Sequence, residues 1–311
     1  MSALTVPLLR RVLLRPHDST KPAGPSRCGV QPPAGRFAPG LPAISDGQML
    51  FLLHLVHKMR APEDGGGRVG IIMNGSPLFS GDAESDPSNI RKWLLENDLV
   101  EAIVGLPTNM FFNTGIPTYI WILGNTKQPD RQGKVQLIDG TLFWTKMRKS
   151  LGSKNREISD DDRAKIVQLY ADFEEADPDF SKSLRNDEFG YWTITVERPQ
   201  LDDDGKPVTD RKGKPKPDTK KRDTENVPFA YGGSTAGPAG KLDVIQSYFD
   251  TEVKPHVPDA WIDWTKIKTG YEISFTRHFY KCVPPRPLAE IDADLEKQVA
   301  KILDLLREVE K

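Results

Sequence analysis

Arg68-Val69-Gly70-Ile71-Ile72-Met73 passes directly into Asn74-Gly75-Ser76-Pro77-Leu78-Phe79-Ser80-Gly81. An apolar run of this length, rich in β-branched residues and closed by Asn-Gly, predicts a strand buried on both faces that ends in a loop. Leu99 to Leu106 is a second such run, stopped by Pro107, and Tyr119 to Leu123 is a third, stopped by Gly124. Between the first two, Ile90, Trp93 and Leu94 recur at helical spacing within Asn89 to Asn97. Strand, helix, strand in this order predicts a parallel, right-handed crossover with loops at the carboxyl ends of the strands. The rest of the chain is arranged around this half-sheet.

A chain of 311 residues is long enough for a sizeable core in one large domain or two. With 43 Lys and Arg against 44 Asp and Glu, the net charge is -1, so any grip on a polyanion has to come from a local basic surface. Cys28 and Cys282 are the only cysteines, which excludes a disulfide framework and a paired-thiol zinc site. No apolar run approaches the length of a membrane span, and the expected location is the cytoplasm.

Residues 1–45 hold 8 Pro and 4 Gly and show no apolar periodicity beyond Leu8 to Leu14. Such a segment buries too little surface to offset its ordering entropy, and 1–35 reads as a disordered or fused leader. Asp46 to Met59 predicts a helix capped by Ser45 or Asp46. His54 and His57 lie one turn apart on it, a spacing open to metal ligation, but without a Cys or carboxylate at matching spacing they read as solvated or packed histidines. Gly65-Gly66-Gly67-Arg68-Val69-Gly70 matches Gly-x-Gly-x-x-Gly by letter. A ligand loop has to follow a strand and open a helix, however, and these glycines precede the strand, where they serve as cap and connection.

Asn74 to Gly81 stands where a parallel sheet places ligand loops, although a Gly- and Pro-rich turn that only redirects the chain reads equally well. Phe111-Phe112-Asn113-Thr114-Gly115-Ile116-Pro117 brings aromatic and amide groups to the same rim. Lys134 to Asp139 predicts a further strand and Ser159 to Phe173 an amphipathic helix. Between them, Lys146, Arg148, Lys149, Lys154 and Arg156 form either a phosphate-contacting patch or a solvated surface run. Asp187 to Arg198 has the strand formers of a hairpin arm, and 201–225 reads as a charged, mobile linker. Gly270 to Tyr280 reads as a strand or extended arm. After Pro284-Pro285-Arg286-Pro287, Leu288, Ile291, Leu295, Val299, Ile302, Leu306 and Val309 recur every three or four residues. This is a seam for a partner helix, or for packing back on its own domain.

Several of these blocks together resemble the methylation subunit of type I restriction-modification systems. They are Ser45 to His54, Met73 to Gly81, Phe111 to Trp121, Lys146 to Gly152, Phe189-Gly190-Tyr191 with Val196 to Pro199, and Gly270 to Ile273, in the family's order. The resemblance covers about Arg36 to Lys311. It implies an α/β fold, the distal half of a class I S-adenosylmethionine-dependent methyltransferase sheet with an α-helical C-terminal extension. It also implies a partial catalytic domain over 36–200, a linker over 201–225 and an extension over 226–311. The implied reaction is methyl transfer from S-adenosylmethionine to adenine N6 in a specific DNA sequence, with a specificity subunit and a restriction subunit as partners.

By the same resemblance, Asn74, Phe112 and Asn113 would border the target-base pocket. Phe112 would be the ring on which an extruded base stacks, the competing role being that of an ordinary core phenylalanine. Lys146, Arg148 and Lys149 would meet DNA phosphate, and the seam Leu288, Ile291, Leu295, Val299, Ile302 and Leu306 would dock the specificity subunit. No metal site is expected.

The family's Asn/Asp-Pro-Pro-Phe/Tyr tetrapeptide does not occur in the sequence. Gln31-Pro32-Pro33-Ala34 lacks its acid or amide and its aromatic, and Asn226-Val227-Pro228-Phe229 lacks a proline and follows no buried strand. Nor does a strand followed by a glycine loop for the cofactor. The expectation is a truncated chain that is inactive by itself, with an exposed sheet edge that makes it unstable alone or completed by another chain. A non-catalytic assembly module that binds the specificity subunit is the alternative. An unrelated α/β enzyme is a third reading, but it would need a nucleophile-and-base set, and His17, His54, His57, His256 and His278 fall in no triad context.

Overall fold

The computed structural model describes residues 35–42, 46–202, 204–281 and 285–309. The leader up to Ala34 and the Ser45 cap lie outside these residues. The architecture is mixed α/β. The chain divides into a large unit, Met1–His278, and a small one, Phe279–Lys311. The division differs from the expected 226–311 extension because strands beyond residue 226 complete a sheet begun at Gly190.

Helix α1 (Gln48–Lys58) leads into β1 (Arg68–Asn74), the one-turn α2 (Ser76–Phe79), α3 (Asp86–Glu96), β2 (Val100–Leu106), β3 (Thr118–Gly124) and β4 (Lys134–Asp139). The hairpin β5 (Thr145–Leu151) and β6 (Lys154–Glu157) follows, then α4 (Asp160–Asp172) and β7 (Ser181–Arg185). Strand order in the main sheet is β1-β3-β2-β4-β7. β1 and β2 point the same way, as a crossover through α3 requires. β3 lies antiparallel between them, pairing Asn74 with Thr118 on one side and Leu106 with Thr118 on the other. β2 is buried along its whole length because β3 and the parallel β4 flank it.

β1 departs from the expectation of burial on both faces. Val69 and Met73 are buried on the face that α1 covers, while Gly70 and Ile72 face solvent on the other, Ile72 at 50% exposure. Its outer edge pairs with no strand among the described residues. Apolar composition specified the strand, but not how many faces would be covered.

The second sheet is built on β8 (Gly190–Glu197). β9 (Asp223–Pro228) pairs along one edge of it, and β10 (Trp261–Ile262) and β11 (Lys268–Tyr271) pair in succession along the other. Trp192 and Phe229 pack with ring centroids 4.2 Å apart, and Tyr271 meets Phe229 edge-on at 5.8 Å. Gly190 admits the Phe229 ring and Gly270 the Tyr191 ring, since a Cβ at either would lie within 2.4 Å of an aromatic carbon. Arg91 of α3 is fully buried and ties the two sheets together. Its Nε donates to the Tyr271 carbonyl at 2.6 Å, and its Nη1 donates to the carbonyls of Pro77 and Ser80. Between β9 and β10 lies α5 (Lys241–Tyr248). After β11, Gly270 to Tyr280 does not stay extended but turns into the short helix α6 (Phe275–Phe279).

Residues 201–225, expected to be a mobile linker, are hydrogen-bonded into tandem turns. Gln200-Leu201-Asp202-Asp203-Asp204-Gly205-Lys206-Pro207 is followed by Val208-Thr209-Asp210-Arg211-Lys212-Gly213-Lys214-Pro215, and then by the degenerate Lys216-Pro217-Asp218-Thr219-Lys220-Lys221-Arg222-Asp223. Local polar bonding, rather than apolar burial, orders this stretch, and hydrophobic periodicity does not register it. In the small unit, α7 (Leu288–Val309) carries its seam in the open, with Leu288, Leu295, Val299, Ile302 and Leu306 each more than half exposed and Ile291 partly exposed.

Candidate nucleic-acid interface

The rim formed by the ends of β1 and β2 and the start of β3 gathers most of the residues singled out in the sequence. Asn74 closes β1. Its backbone N–H donates to Gln48 Oε1 at 2.8 Å, and its Oδ1 accepts from the Ser76 N–H at 2.9 Å. Ser76 Oγ in turn donates to Asp46 Oδ2 at 2.7 Å. The side-chain oxygen of Asn74 thus caps the turn into α2, the ordinary work of an asparagine before a short helix.

The loop 107–117 joins β2 to its neighbour β3, bracketed by Pro107 and Pro117. A Phe111–Thr114 bridge pinches it, Asn113 adopts φ +57° at the tip, and the Phe112 ring stands 66% exposed. A large aromatic held out on a pinched loop is not serving the core.

The hairpin β5–β6 packs against this loop. The N–H groups of Asn155 and Arg156 donate to the Asn109 carbonyl at 3.1 and 3.3 Å. Arg156 Nη1 donates to Thr108 Oγ1 at 3.1 Å, and its guanidinium lies 3.9 Å from the Trp144 ring centre. At the hairpin tip, Gly152 (φ +61°) leaves room for Phe112 and Asn113, whose side-chain atoms lie 3.5 and 3.6 Å from where a Cβ would stand. Lys146, Arg148 and Lys149 are all exposed on β5. The structure therefore brings Phe112, Asn113 and the basic strand together, and places Asn74 on the same rim.

Sequence reasoning missed a cleft of about 210 Å³ on this rim, lined among others by Phe79, Tyr119, Glu272, Phe275 and Arg277. Phe275 stacks edge-on to Tyr119 at 5.1 Å and covers Gly105, where a Cβ would come within 2.9 Å of its ring. Burial, reinforced by the charge of Asp139, raises the Tyr119 pKa, so its hydroxyl stays protonated at neutral pH. The lining of this cleft is scattered over three separate blocks of the sequence, Met73 to Gly81, Phe111 to Trp121 and Gly270 to Tyr280, none of which indicates a shared cleft by itself.

His54 is not placed as a ligand. Its Nδ1 bonds Arg36 Nη1 at 2.9 Å, and burial together with the charges of Arg36 and Lys58 lowers its pKa. Among the described residues, no group of three His, Cys, Asp or Glu could hold a metal ion. No helix among them is long and apolar enough to cross a membrane.

This domain, with an antiparallel strand inserted into an α/β sheet and an aromatic and cationic rim, matches the N-6 DNA methylase family over residues 31–193, more than half of the chain. The chain belongs to that family. It is 34% identical over 108 residues to the type I restriction enzyme MjaVII methylase subunit of Methanocaldococcus jannaschii, covering 35% of this chain and 18% of that protein. It is 28% identical over 190 residues to the type I restriction enzyme HindI methylase subunit of Haemophilus influenzae, covering 57% of this chain and 40% of that protein. The match thus spans well under half the length of either relative. Among solved structures, the type I restriction-modification system methyltransferase subunit of Streptococcus thermophilus aligns at 29% identity with a TM-score of 0.42, over 50% of this chain and 30% of that one.

Proposed function

We propose that the chain acts within the methylation subunit of a type I restriction-modification complex, in the cytoplasm, where methyl passes from S-adenosylmethionine to adenine N6 at a specific DNA sequence. The observation that supports this best is the exposed Phe112 ring, held beside Asn113 and the cationic hairpin. Lys146, Arg148 and Lys149 neutralise backbone phosphates and position the duplex. A base to be modified has to leave the stack, and the face of Phe112 offsets part of that unstacking while Asn113 and Asn74 border the space it enters.

Among the described residues, the Gly75 turn does not form an S-adenosylmethionine cradle. Gly75 stands between a strand and a helix, but α2 is a single turn, and the flanking Asn74 and Ser76 are already engaged with Gln48 and Asp46. The tetrapeptide that would orient the adenine amino group is likewise missing from the sequence. In this reading the chain supplies the DNA side of the site, corresponding to the distal half of a methyltransferase sheet.

The second role, an assembly module without cofactor chemistry, is favoured by α7, whose open apolar seam suits a specificity subunit, with the restriction subunit joining the same complex. Calorimetric titration of the full chain with S-adenosylmethionine separates the two, heat of binding favouring the enzyme and its lack favouring the module. For the DNA side, a duplex with one mismatched adenine is bound more tightly than its paired counterpart, because extrusion there costs less. Phe112→Ala removes this preference without changing Tm. An unchanged preference rules Phe112 out as the stacking ring.

A further inference from the structure

The three octads starting at Gln200, Val208 and Lys216 close on one another. The Gln200 N–H donates to the Lys216 carbonyl, the Lys216 N–H to the Val208 carbonyl, and the Val208 N–H to the Gln200 carbonyl, each at 2.8 Å. Equivalent positions of successive repeats thus form a closed ring of backbone hydrogen bonds, from which three turns project.

Each turn is held by the aspartate at its third position. Asp202 Oδ1 accepts from the N–H groups of Asp204 and Lys206, Asp210 Oδ1 from those of Lys212 and Lys214, and Asp218 Oδ1 from that of Lys220. Gly205 and Gly213 occupy the left-handed position of the first two turns, at φ +75° and +79°. The base of the arm is fixed by the buried Glu197, whose Oε1 accepts from Arg222 Nε at 2.8 Å and Lys266 Nζ at 3.1 Å.

This construction sorts the charges. The turn aspartates Asp202, Asp210 and Asp218 each direct Oδ1 onto backbone N–H groups, and of the cations Lys221 pairs with Asp218 and Arg222 with Glu197. The three octads, 200–223, hold eight Lys or Arg against six Asp, a net of +2 in a chain whose total is -1, and the excess is concentrated in 206–220, with six Lys or Arg against two Asp. Lys206, Arg211, Lys212, Lys214, Lys216 and Lys220 are exposed, and none forms an ion pair among the described residues. Both acids within this span are the turn-forming Asp210 and Asp218.

We infer that this ring of turns is a second phosphate-contacting element, set on β8 and β9 and separate from the β5–β6 hairpin, which grips the backbone of duplex DNA without reading its bases. The inference rests on the DNA-directed function proposed above. An array of cations on an ordered scaffold suits a polyphosphate, because each cation can release a condensed counterion without first being freed from a carboxylate. An acidic protein surface is the competing partner.

The test measures binding of the full chain to a 30-base-pair duplex as a function of salt. Each phosphate contact contributes about 0.9 to the slope of log Kobs against log salt. The triple variant Arg211→Ala, Lys212→Ala, Lys214→Ala touches no turn acceptor. It is expected to reduce the slope by up to about 2.7 with an unchanged circular dichroism spectrum and Tm. Lys212→Arg, which keeps the charge, is expected to leave the slope as it was. The parallel variant Lys146→Ala, Arg148→Ala, Lys149→Ala reports on the hairpin alone.

A loss in both variants supports both elements. A loss only in the arm variant supports this inference and overturns the hairpin's role. An arm variant with wild-type slope and affinity overturns the inference whatever the hairpin does, and points to an acidic protein as the partner. No DNA binding by the unaltered chain overturns both.

Discussion

Arg91 Nε lies 2.6 Å from the carbonyl oxygen of Tyr271, a hydrogen bond between residues 180 positions apart that ties α3 to the end of β11. Burial pushes the Arg91 pKa down to about 10, so the guanidinium enters the interior still charged at neutral pH, held by carbonyl dipoles instead of a carboxylate. Arg91→Met preserves much of the volume but leaves the carbonyls of Pro77, Ser80 and Tyr271 without this donor. It is expected to cost about 3 kcal/mol, read as a lower urea midpoint at unchanged slope. A wild-type midpoint would mean that other donors replace the guanidinium.

Glu197 sets an acid limit on stability. Burial raises its pKa, but the hydrogen bonds and charges of Arg222 and Lys266 outweigh burial and hold it below its ordinary value of 4.5. The group therefore contributes stability above the unfolded-state pKa and loses it as pH falls through the lower folded-state value. Urea midpoints recorded down through pH 4.5 and below should drop more steeply for wild type than for Glu197→Gln, whose pairing does not titrate.

Gly270 faces Tyr191 across the β8–β11 pair. A Cβ at this position would stand 2.4 Å from Tyr191 Cζ, so Gly270→Ala has to displace the ring or part the strands. Overpacking of this kind costs about 1–3 kcal/mol. Thermal unfolding of Gly270→Ala should show it, and recovery in the double variant with Tyr191→Ala would identify the collision as the cause.

Ile72 projects from β1, whose outer edge pairs with no strand among the described residues and whose Ile72 face those residues leave uncovered. Such an edge invites pairing with another chain. Ile72→Lys is expected to leave stability within about 0.5 kcal/mol while raising the monodisperse fraction in light scattering. An unchanged aggregation level would show that the edge is not where chains meet.

The strands around Ile71, Ile103 and Ile120 were legible because each is an apolar run with its own stop signal, and α3 because Ile90 and Leu94 share one face. The antiparallel insertion of β3 was not, since an apolar run carries no direction and the 11 residues from Pro107 to Pro117 do not decide between hairpin and crossover. Phe112, Asn113 and the basic run were each legible as separate candidates. Their meeting at Gly152 depends on a contact between segments about 40 residues apart, for which single-sequence periodicity has no signal. The turns at 200–223 escaped because hydrophobic patterning cannot see structure built from Asp side chains. The signal that would have exposed them is the recurrence of Asp-x-x-Gly-Lys-Pro eight residues on, at Asp202 and Asp210.

Pro107 and Pro117 stand where the Phe112 loop leaves β2 and enters β3, and proline holds φ near -65° at both points. The two ends are clamped to adjacent, fully paired strands, so the loop resembles a stirrup on two stiff pins more than a free flap. A load on the aromatic tip would meet the resistance of the whole sheet, and little of it would be lost to slack in the loop.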